Sequence, residues 1–428
     1  MDTNKRQRFG WVMYDWANSA YITTVAVAVL PAYFAQAVVP EGGYPLWGAT
    51  LSATTLWSYT VSLTALLLLL VAPVMGAVAD SSALKKRFLA VFCYGGSLAT
   101  VCLLFSGPGR VWYTLLVFVL AQTCFVGGNV FYNAFLPHLA KGRDLDTLSG
   151  KGFAFGYMGG GLQFALCLGL ISLHKSLGLG LDQASRIAMA SAGVWWGGFA
   201  VLTFRGLHEP PAAGPGNGTV PQGSGAVSMG IRNVLRHTRA IVADKPLLFF
   251  LLAFVFYNDG IQTVIYMATI YGKEELGFST SVLMLALLLI QAIGILGALA
   301  FARLAGKTST RTSLFATLVL WSGVAVYGYI LSKPWEYFIL AGVVGLILGG
   351  SQALSRSFYA AMIPKENAAE YFGYFSVVQR FSSILGPLVF GLVSQAMGSA
   401  RPAVLSIIVF FIAGMVFLAF VKPRKEAA

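Results

Sequence analysis

Two aspartates lie inside apolar stretches of this 428-residue chain, and the residues that follow them repeat. Asp15 begins the segment Asp15-Trp-Ala-Asn-Ser and Asp259 begins Asp259-Gly-Ile-Gln-Thr, so both read acid, two spacers, amide and hydroxyl. A carboxylate in the hydrocarbon of a membrane costs roughly 3 kcal/mol or more, and it normally faces a water-filled interior. The two acids therefore indicate groups that take up a proton, or bind the amine of a solute, on a pathway through a membrane.

Other polar side chains recur at helical spacing in the same kind of apolar stretch. Residues three or four apart lie on one face of a helix, so each set presents its polar groups together. The candidate residues for substrate binding or proton coupling are Asp15, Asn18, Asn129, Asn133, Asp259, Gln262, Gln352 and Arg356. Alternatives stay open, because Asn129 and Asn133 could instead bond neighbouring helices. Asp15 and Arg356 could form a gate and not a substrate site.

The composition places these residues in membrane-spanning helices. The chain is 57% hydrophobic and 11% charged, with a mean hydropathy of +0.74, which a soluble protein of this length could not bury. Apolar runs long enough to cross about 30 Å of hydrocarbon recur along it. Backbone groups in lipid must be satisfied within the segment, so we predict helices. Twelve spans are predicted, at 12–38, 50–78, 88–107, 111–136, 152–173, 186–206, 246–271, 278–302, 312–331, 336–360, 371–396 and 403–421.

The net charge of +13 is distributed in a way that argues against nucleic-acid binding. Most of the 29 lysines and arginines fall on the side of the membrane that would hold both termini. This bias is the positive-inside signal, and it predicts cytoplasmic termini with basic residues near lipid headgroups. The first span is too long and too polar for a cleaved signal peptide. We predict a bacterial cytoplasmic membrane, or a vacuolar membrane if the host is eukaryotic.

The two halves of the chain resemble each other. Gly127-Gly-Asn129 has a counterpart in Gly349-Gly-Ser351, and Phe155-Gly-Tyr157 has one in Phe372-Gly-Tyr374. A repeat of six helices keeps the same orientation in both halves. The predicted domains are an N-terminal six-helix bundle (1–207), a Pro- and Gly-rich cytoplasmic linker (208–245) and a C-terminal six-helix bundle (246–428).

The segment after the second span resembles the signature loop of the major facilitator superfamily. Gly76-Ala-Val-Ala-Asp80 leads there to the basic residues Lys85, Lys86 and Arg87. The acid can bind a helix N-terminus or a neighbouring arginine, while the basic cluster anchors the loop at the headgroups. The predicted gating residues are Gly76, Asp80, Lys85, Lys86, Arg87 and Arg380. In the second half Gly306 stands where the acid would be, so that latch is predicted to be degenerate or held differently.

Further motifs give a narrower resemblance. The segments Tyr14-Asp-Trp-Ala-Asn-Ser-Ala20, Phe131-Tyr-Asn-Ala-Phe-Leu-Pro137 and Gly349-Gly-Ser-Gln-Ala-Leu-Ser-Arg-Ser357 are similar to the branch containing the autophagy-linked vacuolar amino-acid effluxers and their bacterial permease relatives. The resemblance implies an all-α polytopic membrane protein with twelve transmembrane helices in two pseudo-symmetric bundles, the major facilitator fold. It further implies a central cavity lined by helices 1, 4, 7 and 10, alternating access, and efflux of amino acids or similar solutes.

These features predict a secondary active transporter of a small solute, an amino acid or similar, coupled to protons or another ion.

 The alternatives are a transporter of sugars, drugs or nucleosides, and a membrane nutrient sensor that binds a solute without moving it. The sequence contains no Cys/His cluster that would bind a metal and no cofactor motif. It lacks a GxxxxGK[ST] loop, which argues against transport driven directly by ATP. It also lacks a cluster of polar catalytic residues, so we do not predict an enzyme. The predicted partners are the solute, the coupling ion and the bilayer, with a monomeric protein.

Overall fold

The computed structural model describes residues 3–46, 48–82, 84–210 and 238–421. In these residues the chain forms long helices that run back and forth, with one short hairpin. The helices are α1 (Thr3–Val38), α2 (Ala53–Ser82), α3 (Lys85–Phe105), α4 (Val111–Leu139), α5 (Arg143–Ser172), α6 (Leu181–Gly206), α7 (Lys245–Lys273), α8 (Thr280–Lys307), α9 (Thr310–Ile330), α10 (Pro334–Met362), α11 (Lys365–Met397) and α12 (Ala400–Phe420).

Most of these helices meet the length and composition needed to cross a membrane. Among the described residues, 11 helices are long and apolar enough. The other long helix is α2, which has 30 residues and a largely apolar sequence. The architecture is therefore consistent with the twelve predicted spans.

Several helices extend beyond the apolar runs from which they were predicted. The run at 152–173 becomes α5, which begins at Arg143 and carries Asp144 and Asp146 in its first turn. Acidic side chains near a helix N-terminus interact favourably with the helix dipole, so polar residues can continue the helix out of the hydrocarbon. Hydropathy marks only the part of a helix that lies in lipid.

Helix α11 is interrupted near its middle. One piece ends at Phe381 and the next begins at Leu385, with turn residues at 382–384 between them. Pro387 explains the break, because its ring has no N–H and clashes with the carbonyl four residues earlier, at Ser383. The break creates a helix N-terminus inside the bundle.

The first six and the last six helices meet along two contacts of the same kind. Helix α2 packs against α11, and α5 packs against α8. If helix 1 corresponds to helix 7, the first contact maps onto the second, as expected of a duplicated six-helix unit. The domain boundaries at 207 and 246 stay a prediction. Of the predicted linker, residues 211–237 lie outside the described residues, and 238–243 are helical.

A small hairpin joins α1 to α2, which the all-α prediction did not include. Strand β1 (Tyr44–Leu46) pairs with β2 (Ala49–Leu51) in antiparallel register, with Tyr44 opposite Leu51. The turn contains Gly48 with a φ of +81°, a backbone conformation that glycine adopts without strain.

Candidate functional site

A cavity of about 490 Å³ lies between the first six and the last six helices. Its wall includes residues of α1, α4, α7 and α10, the helices that the resemblance implied, together with residues of α5, α8 and α11. This volume lies within the range of cavities that hold small molecules in proteins. The two halves of the bundle therefore enclose space for a solute.

The structure brings most of the predicted substrate or coupling residues to the wall of this cavity. Those that line it are Asp15, Asn18, Asn129, Asn133, Gln262, Gln352 and Arg356. Asn18 donates a hydrogen bond to the Asn129 side-chain oxygen at 2.8 Å, so one of the two predicted asparagines does bridge neighbouring helices. The Asn133 side-chain oxygen is buried and has no hydrogen-bond partner in the described part of the chain.

A buried ion pair lies in the wall of the cavity. Arg356 of α10 lies 3.0 Å from the carboxylate of Asp15 in α1, and so joins the two halves. The guanidinium also donates to the side-chain and backbone oxygens of Ser149 in α5, each at 2.9 Å. Tyr132 donates to the same Asp15 oxygen at 2.7 Å, and the Phe153 ring lies 4.1 Å from the guanidinium carbon. The Arg356 charge is thus satisfied within the protein, and of its two predicted roles this geometry favours the gate.

Asp259 occupies a different place from the one predicted for it. Its side chain is 1% exposed, and it is not among the cavity-lining residues. One carboxylate oxygen accepts a hydrogen bond at 2.8 Å from the backbone N–H of Gly386, at the beginning of the second piece of α11. The neighbouring residue Asn258 lines the cavity instead. The carboxylate therefore caps an internal helix end, in the way that acidic residues satisfy unpaired N–H groups.

This placement predicts different results for two substitutions of Asp259. Asp259→Asn should keep the cap, because the amide oxygen can still accept the Gly386 hydrogen bond. Asp259→Ala should lower the free energy of unfolding by about 1 kcal/mol, as for other lost helix caps. Thermal unfolding of both purified proteins measures the difference. Asp244 also caps a helix, at the start of α7, so Asp244→Asn is the matched control for replacing a capping aspartate by asparagine. Equal stability of the Asn and Ala proteins would contradict the capping role.

The predicted gating acid Asp80 binds the N-terminus of α11. Its side chain is 2% exposed, and its two oxygens accept hydrogen bonds from the backbone N–H groups of Ala369, at 3.2 Å, and Glu370, at 2.8 Å. Gly76 allows this approach, since a methyl group on it would come within 2.7 Å of the Glu370 Cα atom. These contacts join α2 to α11 on the side where the chain begins and ends, which we call the termini side.

The basic residues after Asp80 have three different surroundings. Lys85 is buried, and its ammonium lies 2.8 Å from Asp80, so it is the partner of the acid and not a headgroup anchor. Lys86 donates to the Leu207 carbonyl at 2.6 Å, and its backbone N–H donates to Glu209 at 2.9 Å. Burial raises the pKa of Glu209 above its usual range. Only Arg87 of the three is exposed, as an anchor at the headgroups requires.

A second acidic contact lies on the termini side, and its acid is not among the predicted gating residues. Asp146 of α5 accepts hydrogen bonds from Ser357 of α10, at 2.5 Å, and from Thr310 of α9, at 2.8 Å. In the second half of the chain Gly306 stands where the acid of the signature loop was expected. The acid at this contact comes instead from α5, which packs against α8. The signal available in the sequence was the pair Asp144 and Asp146 at the beginning of a span.

Arg380 was predicted to be a gating residue, and the structure places it in the cavity wall. It is about 15 residues from the start of α11 at Lys365, which is close to the middle of a 33-residue helix. None of the ion pairs formed by the described residues involves Arg380. All site roles assigned from the sequence remain predictions.

Comparison with known proteins agrees with this architecture. A family model described as "Vacuole effluxer Atg22 like" matches residues 3–145 and 143–428. The chain belongs to the Atg22-like family. A relative of this Atg22-like protein, the "Uncharacterized MFS-type transporter YxiO" of Bacillus subtilis (strain 168), is 32% identical, with 98% of this chain and 96% of the relative covered. "Autophagy-related protein 22-1" of Penicillium rubens is 22% identical, with 100% and 92% covered.

Solved structures show the fold of the Atg22-like protein. The major facilitator superfamily transporter FucP, in its outward conformation, matches with a TM-score of 0.69 and 13% identity over 99% of both chains. The human organic anion transporter MFSD10 matches with a TM-score of 0.70 and 14% identity, over 98% of this chain and all of the other. The protein is an integral membrane transporter of the major facilitator superfamily.

Proposed function

We propose that this protein is a secondary active transporter that moves an amino acid or a similar small solute by alternating access. The observation that carries the proposal is the cavity between the two halves, together with the contacts that join those halves on the termini side. The cavity can open to the termini side only if these contacts break and the halves move relative to each other.

The moving parts in this proposal are the predicted bundles at 1–207 and 246–428, connected by the linker at 208–245. On the termini side they are joined by Asp15–Arg356, by Asp80 at the N-terminus of α11, and by Asp146 with Ser357. Each contact uses a buried carboxylate, and each must break when that side opens. The closed side would be cytoplasmic, in agreement with the positive charge bias of the termini.

The ion pair in the cavity wall supports proton coupling. Asp15 is the carboxylate among the described residues of the cavity wall, and its charge holds Arg356. A proton on Asp15 would remove that charge and release the contact between α1 and α10, so that protonation and opening are linked. We propose efflux, which the description of the family supports, and a bacterial cytoplasmic membrane, which the Bacillus relative supports. A monomer stays the prediction made from the sequence.

Transport by proteoliposomes tests the proposal. We expect accumulation of pooled labelled amino acids to exceed that of empty liposomes and to rise with an imposed pH gradient. One coupled proton gives up to about tenfold accumulation per pH unit, because tenfold corresponds to about 1.4 kcal/mol. Asp15→Asn should remove the dependence on the gradient.

The control for this experiment is Asp144→Asn, which removes a carboxylate that is exposed and paired with Arg8 on the surface. Its transport should match that of the wild type. If the wild-type protein accumulates none of the pooled amino acids, the amino-acid assignment is wrong, and sugars, drugs and nucleosides become the solutes to examine. Uptake that ignores the gradient would remove proton coupling from the proposal.

A further inference from the structure

The charged residues of the cavity wall do not balance one another. In the part of the chain that the structure describes, the charged lining residues are Asp15, Arg356 and Arg380. Asp15 and Arg356 neutralise each other at 3.0 Å. Arg380 remains as a half-buried cation near the middle of α11, and Asp259, the other acid predicted for the pathway, bonds to the Gly386 backbone.

Such a cation is costly unless something neutralises it. A charge removed from water must be paired and hydrogen-bonded, or the folded state is destabilised. No ion pair of the described residues includes Arg380, and its guanidinium donates no hydrogen bond within that part of the protein. The Arg380 guanidinium is therefore available to bind an anion that is not part of the chain.

The surroundings of Arg380 favour a carboxylate on a largely apolar solute. A guanidinium binds a carboxylate through two parallel N–H···O bonds. Gln379 and Ser383, on the same helix as Arg380, also line the cavity. Asn258 of α7 lines it as well, and its side-chain amide donates a hydrogen bond at 2.5 Å to Ser382, at the break in α11. Much of the remaining wall is apolar, and includes Phe125, Phe153, Ile265, Leu287 and Val344.

We propose that Arg380 binds the carboxylate of the transported solute, and that Arg356 does not. The inference rests on the proposed function and deepens it, because it assigns a solute class, small carboxylates with an apolar body, and the group that selects them. Arg356 is already bonded to Asp15 and Ser149, and its charge is neutralised, whereas Arg380 has no such partners among the described residues.

Ligand-induced thermal stabilisation of the detergent-purified protein tests this assignment without transport. The probes are L-phenylalanine, 3-phenylpropanoate and L-phenylalaninamide at millimolar concentration, with wild type, Arg380→Gln, Arg380→Lys and Arg110→Gln compared. Arg110 is the matched control, an arginine at the exposed end of a loop.

The wild type and Arg110→Gln should be stabilised by a probe that carries a carboxylate and not by the amide. Stabilisation by L-phenylalanine alone would mean that the amine is needed as well, and stabilisation by 3-phenylpropanoate too would mean that the carboxylate suffices.

Arg380→Gln should bind the carboxylate roughly 10- to 100-fold more weakly, as when a hydrogen bond to a charged group is lost. Without ligand it should melt at a higher temperature than the wild type, because an unpaired, half-buried charge has been removed. Arg380→Lys should retain weak binding, since it keeps the charge and loses the paired geometry. An arginine with only a structural role would give the opposite change in melting temperature.

Three results would overturn the assignment: no carboxylate stabilises the wild type, the amide stabilises it as well as the acid, or Arg380→Gln responds like the wild type. Failure of the proposed function looks different. In that case the carboxylate stabilises the wild type and not Arg380→Gln, while proteoliposomes accumulate nothing.

Discussion

Asp15→Asn is expected to destabilise the folded protein by about 3–5 kcal/mol, because it leaves the buried Arg356 guanidinium without a counter-charge. The hydrogen bonds from Arg356 to Ser149 would remain, but they supply dipoles and no negative charge. Since the pair joins α1 to α10, its loss also weakens the closed state of the termini side. The measurement is the melting temperature of the purified variant, with transport in proteoliposomes as the functional counterpart.

A double-mutant cycle measures the interaction energy between Asp15 and Arg356 separately from the effect of each single substitution. Arg356→Gln alone should also destabilise, while Asp15→Asn with Arg356→Gln should recover much of the loss, because neither charge is then left unpaired. Arg8→Gln is the control on the same helix: its pair with Asp144 is exposed, and its loss should cost about 1 kcal/mol or less. Additive effects of the two buried substitutions would show that Asp15 and Arg356 are not coupled.

Asp80→Asn is expected to loosen the contact between α2 and α11. The substitution removes the charge that accepts the N–H groups of Ala369 and Glu370, and it leaves the buried Lys85 without its counter-charge. A hydrogen bond to a charged group contributes about 1.5–3 kcal/mol, so the exchange of these two amide hydrogens should accelerate roughly 10- to 100-fold. Hydrogen–deuterium exchange read by mass spectrometry measures the change.

Two further variants show whether the contact itself matters. Gly76→Ala keeps every charge, but its methyl group would meet the Glu370 backbone, so it should accelerate the same exchange. Asp144→Asn changes an exposed acid on the same side and should leave the exchange unaltered. Unchanged exchange in both Asp80→Asn and Gly76→Ala would exclude a latch at this position.

Most of the fold could be predicted from the sequence, because lipid imposes strong constraints on a chain. A segment that crosses hydrocarbon must be apolar, long enough and helical, so hydropathy alone located the spans. The ends were less predictable, as α5 shows by starting at Arg143 in a polar stretch. The break in α11 was missed as well, although Pro387 is visible in the printed sequence.

Most residues of the candidate site could be predicted from the sequence, but their contacts and orientations could not. Polar residues in the spans identified Asp15, Asn18, Gln352 and Arg356, which line the cavity. The same reasoning favoured Asp259 over its neighbour Asn258, and the structure places the amide in the wall and the acid against α11. Adjacent residues on a helix point in directions about 100° apart, so a small rotation of α7 about its axis decides which one faces the solute.

By itself, the sequence determined that this chain crosses a membrane repeatedly, that its halves are related, and which polar residues lie within the spans. Only the tertiary structure decided which charges neutralise each other. Arg356 finds Asp15, 341 positions away in the chain, and Arg380 finds no acid among the described residues. The reason is physical: hydropathy and spacing give the position of a residue along its own helix. The partner of a charge depends on how separate helices are rotated and packed, which no local pattern records.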